Sequence, residues 1–229
     1  KIYKKIIAEA VFSGGSQNFA IQSRICENAL NTHKINGEKI ISGNISFAQN
    51  KKNKSKDYVI YAVTLKDFFN SQFYGVETFY EFNDNLKKLN EISLKSGIKV
   101  VVKVHPSHNH CVIDLKKVFK NLLFSTKSIE TLLEKSFATI SYSSTVIEDS
   151  LYSQVPVVLM DQWNRYKHCK SVSKFNKFND GIFYINDKQK LYECLKFLKN
   201  NKNMINIQNN NYNTDYKLNI QKNLFKLIN

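Results

Sequence analysis

From residue 57 onward, short apolar segments alternate with longer segments of helical periodicity, and this alternation limits the fold more than any other sequence feature. Residues 57–64, DYVIYAVT, are almost continuously apolar or aromatic, which is typical of a strand buried on both faces of a parallel sheet. Residues 78–96 then carry apolar side chains at helical spacing, and Gly97 stands where such a helix should end. The sequence therefore predicts a Rossmann-like α/β fold with a doubly wound parallel sheet.

The following residues continue the pattern. Strands are predicted at residues 98–105, 121–125, 137–142, 155–161 and 182–186. Helices are predicted at about 111–120, near 129–133, at 144–153 and for about ten residues around 191–198, with a loop at 200–213 and a last amphipathic helix at 215–227. Ligands of such sheets bind outside the carboxyl ends of the strands, so the residues leaving those ends are the candidates for a site.

The region before residue 57 predicts only part of another domain. Four apolar residues fit the buried stripe of one helix reaching about residue 31, namely Phe19, Ile21, Ile25 and Leu30. Residues 1–46 are interpreted as the tail of a preceding α/β domain, residues 47–56 as a polar linker, and residues 57–229 as the main domain. The chain starts at Lys1 rather than Met, which suggests a fragment or a processed chain.

The formal charge of +15 would suit nucleic acid, anionic lipid or a phosphorylated ligand. Lysines are spread along the whole chain, however, and only residues 51–56 form a dense run, which is interpreted as a solvated linker. No nucleic-acid-binding motif accompanies this run, so no nucleic-acid partner is predicted. The apolar stretches are far shorter than the roughly 20 residues of a membrane helix. The prediction is a cytoplasmic protein, with peripheral association at the inner face of a membrane left open.

The cysteines and histidines do not predict a metal centre. The four cysteines are widely spaced and include no CxxC pair, which favours a reducing compartment. Cys111 lies near His105, His108 and His110, but these residues lack a paired ligand motif that would complete a zinc site. No bound metal is therefore expected.

The first candidate site residues follow the strand at 98–105. Pro106 ends this strand and holds His105 extended, because a residue before proline avoids the helical region. A histidine there can hydrogen-bond a phosphate oxygen or help to neutralise a departing phosphate. The alternative is a histidine that only caps the strand. Lys103 and Pro106 are candidate substrate-binding residues, and His105 is the candidate catalytic residue.

A run of hydroxyl residues, SYSST, follows the strand at 137–142. Ser143, Ser144 and Thr145 can cap the next helix, or they can form an anion site together with the unpaired N–H groups at its start. This exit and the His-Pro exit are expected to be neighbours. Glu148 lies one turn into that helix, where it can accept hydrogen bonds from ribose hydroxyls. The alternative for Glu148 is a solvated carboxylate. Asp149 is expected to face solvent or a lysine.

The strand at 155–161 leads into a third exit, DQWNRY. Trp163 and Arg165 leave its carboxyl end, where either can contact a base or a phosphate. A role in packing the loop is the alternative for both. Arg165 is retained as a candidate substrate-binding residue.

The order KVHP followed by SYSSTVIEDSLYSQVPVVL resembles the C-terminal domain of GT-B-fold glycosyltransferases, over residues 57–200. It is most similar to bacterial surface-polysaccharide enzymes with HP and SS motifs: capsule Kdo transferases, polysialyltransferases and polyglycerol-phosphate transferases. The resemblance implies that His105, Ser143 and Ser144 bind the phosphate of a cytidine-nucleotide donor, and that Glu148 holds its ribose. It also implies that residues 57–229 form the nucleotide-sugar-binding domain.

In such enzymes the acceptor site and the catalytic base generally belong to the N-terminal domain, so no base is assigned here. The resulting hypothesis is a metal-independent transferase that moves a sugar from a nucleotide-sugar donor to a glycan acceptor during surface polysaccharide or glycoconjugate synthesis. No cofactor is predicted besides the donor, which is a substrate. Two alternatives stay open: a UDP-N-acetylglucosamine 2-epimerase-like enzyme, whose glycine-rich turn this chain lacks, and a non-catalytic nucleotide-binding module. The oligomeric state is not predicted.

Overall fold

The chain divides into two compact units, one of Lys1–Asn50 with Gln208–Asn229 and one of Lys51–Ile207. The structure, a computed structural model, describes residues 18–21, 27–28, 30–31, 37–41, 56–62, 75–141, 144–160, 181–202 and 207. Side chains of the first helix of the second unit are described from Tyr80 onward. The domain limits and the linker inferred from the sequence stay predictions.

The first unit contains two short parallel strands, β1 (Asn18–Ile21) and β2 (Glu38–Ile41). Phe19 and Ile21 are buried while Asn18 and Ala20 are exposed, and this period of two is that of a strand. The helix predicted over these residues is therefore wrong, because their apolar side chains alternate along a strand that pairs with β2. Residues 27–28 and 30–31 are helical, and Leu30 packs with Phe19 and Ile21 in a small core. Ile25 lies outside the described residues.

The second unit is built on a six-stranded sheet in which every described pairing is parallel. Its strands are β3 (Tyr58–Ala62), β4 (Val100–Lys103), β5 (Leu123–Ser125), β6 (Ser136–Ser141), β7 (Val157–Met160) and β8 (Ile182–Ile185). Residues of β6 and β7 are buried without exception, as expected for strands covered on both faces. The parallel α/β fold predicted from the sequence is confirmed.

Helices connect or follow these strands. They are α1 (Gly75–Ser96), α2 (Val112–Val118), α3 (Ile129–Leu133), α4 (Val146–Tyr152) and α5 (Lys188–Asn200), and a 3-10 helix at Pro106–Cys111 precedes α2. Each strand and helix predicted between residues 57 and 200 is present, with bounds that differ by a few residues, whereas the 3-10 helix was not predicted. The last predicted helix, at 215–227, lies outside the described residues.

The two longest helices follow directly from their sequences. Gly97 adopts a φ of +63°, a left-handed conformation that favours glycine and ends α1. The side chain of Asp187 caps α5 by accepting hydrogen bonds from the N–H groups of Gln189 at 2.8 Å and Lys190 at 3.0 Å. The apolar stripe predicted for α5 is buried, and burial raises the pKa of the Cys194 thiol within that stripe. No helix among the described residues is long and apolar enough to cross a membrane.

The strand order locates the ligand-binding edge of the sheet. The order is β5-β4-β3-β6-β7-β8, so the chain moves outward from β3 to β5 and then returns to place β6 on the other side of β3. The direction of winding reverses between β3 and β6. Ligands of doubly wound sheets bind in the crevice at this switch point, outside the carboxyl ends of the two strands. The residues that follow β3 and β6 are therefore the best placed to contact a ligand.

Candidate functional site

The turn between β6 and α4 lies at the switch point and contains the hydroxyl run found in the sequence. Ser144 is half-buried, and its Oγ accepts a hydrogen bond from the Val146 N–H at 3.3 Å. Thr145 is exposed, and its side chain makes no capping hydrogen bond. Ser144 thus accepts from one of the N–H groups at the start of α4, which is the capping role considered for it from the sequence. Its hydroxyl proton is a separate donor, because a serine hydroxyl donates once and accepts twice.

A buried hydroxyl pair fixes α4 to the central strand and so positions this turn. Ser150 Oγ donates to the Val146 carbonyl at 2.7 Å, and it shares a hydroxyl–hydroxyl hydrogen bond of 2.9 Å with Thr139 Oγ1 of β6. Ser150 and Thr139 are fully buried. Buried hydrogen bonds of this kind are costly to lose, so α4 is held in one orientation on β6.

Two adjacent carboxylates of α4 are buried near the turn. Glu148 is 6% exposed and Asp149 is 7% exposed, and both take part in interactions within the chain. The expectation that Asp149 faces solvent is therefore wrong, and Glu148 is not a solvated carboxylate. The reason is that five consecutive residues of α4, from Ile147 to Leu151, are buried, so this short helix has almost no solvent face. Buried carboxylates need polar partners, and both Glu148 and Asp149 have them within the chain.

Ser141, the last residue of β6, was not selected from the sequence. It is fully buried, and its Oγ has no hydrogen-bond partner in the part of the chain that the structure describes. A buried hydroxyl without a partner is costly unless a ligand or a water satisfies it. Ser141 and Thr139 lie on the same face of β6, because side chains alternate along a strand. In the sequence SFATIS, this alternation places Thr139 and Ser141 on one face, and it was the signal that could have identified Ser141.

The β4 exit carries the His-Pro pair. His105 and Pro106 are exposed, and His105 takes part in an interaction within the chain. Lys103 is half-buried, and its Nζ donates to the Val104 carbonyl at 2.7 Å. Burial lowers the pKa of Lys103, while the Glu130 carboxylate acts in the opposite direction. Lys103 is thus engaged with the strand end rather than extended over the crevice.

The His-Pro exit and the hydroxyl run are not on neighbouring strands. β3 lies between β4 and β6, so the two exits are separated by two strand spacings, about 9.5 Å. The expectation that the exits adjoin is therefore wrong. A ligand that contacts His105 and Ser144 together would have to cross the carboxyl end of β3. That end, after Ala62, was not among the three exits selected from the sequence, because only the strand order shows that β3 is central.

Several candidates stay untested. Ser143, Trp163 and Arg165 lie outside the described residues. Within the described ranges, no group of three or more histidine, cysteine or acidic side chains could hold a metal ion. Cys111 is half-buried and His110 is exposed, but the structure does not bring a further ligand to them in those ranges.

A buried polar cluster supports the carboxyl half of β3 from the side of α1. Asn85 Nδ2 donates to Tyr61 Oη at 3.2 Å, and the Tyr61 ring stacks on Phe82 with centroids 6.1 Å apart. Glu81 of the same helix is also fully buried. These polar residues were not selected from the sequence, since their spacing places them among the apolar residues of α1. The contacts of Asn85 and Phe82 with Tyr61 hold α1 against the strand that ends at the switch point.

Comparison with known proteins supports the fold alone. No protein-family model and no curated protein matches the sequence. Among solved structures, the Methanocaldococcus jannaschii UDP-GlcNAc 2-epimerase in complex with UDP-GlcNAc and UDP is similar, with a TM-score of 0.58, 15% identity, and coverage of 92% of this chain and 61% of that chain. S. aureus TarM in complex with fondaparinux, alpha-GlcNAc-glycerol and UDP gives a TM-score of 0.55, 13% identity, and coverage of 100% and 46%. The chain has a GT-B-type fold.

A third similar structure is the Glycosylation Associate Protein complex from Streptococcus agalactiae, with a TM-score of 0.51, 16% identity, and coverage of 99% of this chain and 47% of that chain. This chain therefore spans about half to three fifths of the length of these GT-B structures. Both transferases and epimerases occur among the similar structures, so the fold does not choose between them.

Proposed function

We propose that this chain contains the nucleotide-sugar-binding part of a GT-B glycosyltransferase that acts in surface polysaccharide or glycoconjugate synthesis at the cytoplasmic side of the membrane. The observation that carries the proposal is the β6–α4 turn at the switch point, where Ser141, Ser144 and Glu148 place two hydroxyls and a buried carboxylate. Hydroxyl donors suit a phosphate, and a carboxylate suits the two hydroxyls of a ribose.

In the proposed reaction, the bond between the anomeric carbon and the donor phosphate oxygen breaks, and the acceptor hydroxyl oxygen forms the new bond to that carbon. Negative charge develops on the departing phosphate. Ser144 and Ser143 donate to that phosphate, and His105 stabilises the developing charge from the β4 exit. Glu148 accepts from the ribose hydroxyls. The base that takes the acceptor proton is proposed to lie in the acceptor domain.

The other candidate residues take supporting roles in this proposal. Thr145 is exposed on the same turn as Ser144, where its hydroxyl can reach a second phosphate oxygen. Lys103 supplies positive charge at the end of β4, and Pro106 holds the backbone at His105. Arg165 is proposed to contact the phosphate or the base. The resemblance to capsule enzymes favours a cytidine nucleotide, whereas two of the similar structures contain UDP, so both pyrimidines need testing.

A second candidate function is epimerisation of a UDP-sugar. It stays a candidate because the Methanocaldococcus jannaschii UDP-GlcNAc 2-epimerase has a similar fold, with a TM-score of 0.58 against 0.55 for S. aureus TarM. The two functions differ in their need for an acceptor. An epimerase inverts C2 of UDP-GlcNAc alone, whereas a transferase leaves C2 unchanged and releases nucleotide only when an acceptor is present.

Two incubations, each followed by NMR, separate these reactions. In the first, the protein is incubated with UDP-GlcNAc alone. In the second, it is incubated with CMP-, CDP- and UDP-sugars plus a glycan acceptor. Acceptor-dependent release of nucleotide supports the transferase. Appearance of the C2 epimer without acceptor replaces the proposal by an epimerase. Nucleotide binding with neither product supports the third candidate, a non-catalytic nucleotide-binding module.

Replacing Ser141 by alanine is expected to leave the ligand-free protein as stable as before, or to stabilise it by up to about 1 kcal/mol, because the lost hydroxyl has no partner in the described residues. Ser150→Ala is the matched control, since that hydroxyl is equally buried but has two partners, and it should cost about 1–2 kcal/mol. Urea unfolding measures both free energies. If Ser141 contacts the donor, Ser141→Ala weakens UDP or CDP binding, whereas Ser150→Ala lowers only the stability.

Equal destabilisation by the two substitutions would show that the Ser141 hydroxyl has a partner, which the described residues do not provide. Unchanged affinity for both nucleotides in a stable Ser141→Ala variant would remove Ser141 from the site.

A further inference from the structure

Three residues form a row across the carboxyl edge of the large sheet. Ala62 of β3 is paired with Lys103 of β4. On the other side of β3, the register with β6 runs up to Tyr61 and Ile140. The next neighbours along these two strands are Ala62 and Ser141. Side chains of paired residues in parallel strands point to the same face, so Lys103 and Ser141 flank Ala62. We call Lys103, Ala62 and Ser141 the edge row.

The neighbours of the edge row show which face of the sheet it occupies. Ser141 lies on the same face of β6 as Thr139, which shares a hydrogen bond with Ser150 of α4. Lys103 is close enough to Glu130 of α3 for that carboxylate to affect its pKa. The edge row therefore lies on the side of α3 and α4, and it includes the ends of the two strands that form the switch point.

The edge row places a hydrogen-bond donor on each side of a small side chain. Ser141 Oγ is fully buried, and it has no hydrogen-bond partner in the described ranges. Lys103 Nζ donates to the Val104 carbonyl at 2.7 Å, and a lysine ammonium has further N–H groups to donate. Ala62 contributes only a methyl group between the two donors.

The two donors are spaced for one phosphate group. Lys103 and Ser141 stand two strand spacings apart, about 9.5 Å. The lysine side chain can shorten this gap, and a phosphate can span the rest with hydrogen bonds of about 2.8 Å to each donor. Burial lowers the pKa of Lys103 and outweighs the opposing effect of Glu130, so an anion would stabilise its ammonium. A larger side chain at residue 62 would fill the gap.

Solvent reaches the edge row from the side of β4 and β5. Lys103 and its neighbour Ser125 on β5 are half-buried, whereas Ala62 is 3% exposed and Ser141 is fully buried. A phosphate would therefore meet Lys103 first, and it would contact Ser141 only after displacing the groups that cover Ala62.

We propose that the edge row is a second phosphate subsite, and that the donor is a nucleoside diphosphate sugar rather than a nucleoside monophosphate sugar. This inference rests on the proposed function, which places the ribose at Glu148 and a phosphate at Ser144. A single phosphate at Ser144 would leave the edge row unused, since Lys103 lies two strands away.

The two subsites divide the diphosphate between them. Ser144 and Glu148 lie at the start of α4, so the phosphate next to the ribose stays at that turn, and the terminal phosphate extends over β3 toward β4. The bond between the anomeric carbon and the terminal phosphate oxygen breaks, and the nucleoside diphosphate departs with the electron pair. Lys103 and Ser141 then donate to the phosphate on which the negative charge develops.

The test compares the affinity of the full chain for UDP and UMP, and for CDP and CMP, by isothermal titration calorimetry. Each diphosphate is expected to bind about tenfold or more tightly than its monophosphate, since a hydrogen bond to a charged group contributes about this much. Lys103→Gln and Ser141→Ala should each weaken diphosphate binding about tenfold and leave monophosphate binding unchanged. Ser144→Ala should weaken binding of all four nucleotides by a similar factor.

Two further variants separate the edge row from charge and from packing. Lys99→Gln is the charge control, because Lys99 is exposed and precedes β4 at the opposite end from Lys103, and it should leave all affinities unchanged. Ala62→Val fills the space between the donors and should reduce UDP affinity to that of UMP. Its control is Ala138→Val, which enlarges a buried alanine on the other face of β6. If Ala62→Val does not fold, Lys103→Gln decides.

Equal affinity for the monophosphates and the diphosphates would overturn the second subsite and leave a nucleotide site in place. The same conclusion would follow if Lys103→Gln changed UDP and UMP binding by the same factor, or changed neither. Absence of binding by all four nucleotides would instead remove the proposed function, and this inference with it.

Discussion

Ser144→Ala and His105→Ala are each expected to weaken UDP and CDP binding by roughly 10- to 100-fold while the chain stays folded. A hydrogen bond to a charged group contributes about 1.5–3 kcal/mol, which corresponds to this range of affinity. Ser144 also accepts from the Val146 N–H, so its loss should cost about 0.5–1 kcal/mol of stability. His105 is exposed, so its loss should cost little stability. Isothermal titration calorimetry measures the affinities.

Each substitution has a matched control in the chain. Ser128 caps α3 by accepting from the Thr131 N–H at 3.4 Å, away from the switch point, so Ser128→Ala removes a similar cap without a site hydroxyl. His110 is another exposed histidine, in the 3-10 helix, and His110→Ala removes an imidazole outside the proposed contacts. Both controls should bind nucleotide like the parent protein. Equal losses in the variants and their controls would show that the site is placed wrongly.

Leu89→Ala is expected to destabilise the protein by about 2–5 kcal/mol, because Leu89 lies on the buried face of α1 and its truncation leaves a cavity. For a domain of this size the midpoint of thermal unfolding should fall by roughly 5–15 °C. Leu94→Ala is the control: it removes the same atoms from the same helix, but Leu94 is 67% exposed, so a change within about 0.5 kcal/mol is expected. Circular dichroism during heating measures both.

A small effect at Leu89 or a large effect at Leu94 would contradict the way α1 packs. Either result would mean that the opposite face of α1 covers the sheet, and the contact between Asn85 and Tyr61 could not exist as described.

The elements of the second unit could be predicted because each carries a local pattern. β7, VVLM, is apolar throughout and buried throughout. The four residues whose helical spacing predicted α5 all lie on its buried side: Leu191, Cys194, Leu195 and Leu198. β1 could not be predicted in the same way. Phe19 and Ile21 fit a helical stripe as well as a strand, and only the pairing of β1 with β2 decides between the two.

The sequence predicts which residues follow each strand, but not how far apart these strand ends lie, and the roles of the candidate site residues stay predictions. Ser144 and Thr145 lie in the turn between β6 and α4, as predicted, because a strand-to-helix turn is a local feature of the sequence. The separation of His105 from this turn depends on strand order, which brings β3 between them and which no local pattern contains. The burial of Asp149 likewise depends on the elements that pack on α4, among them α3, β6 and β7, and not on a pattern within α4 itself.

The measurement that tests the central claim most directly is the thermal stability of this chain with nucleotides. A ligand that binds the native state at 100 times its dissociation constant adds about 2.7 kcal/mol of stability. We predict that CMP, CDP or UDP raises the unfolding temperature well above the value in the same concentration of inorganic phosphate, and that His105→Ala and Ser144→Ala reduce the rise. No rise with any pyrimidine nucleotide or nucleotide sugar, at concentrations up to about 5 mM, would contradict a nucleotide-binding site at the carboxyl ends of β3 and β6.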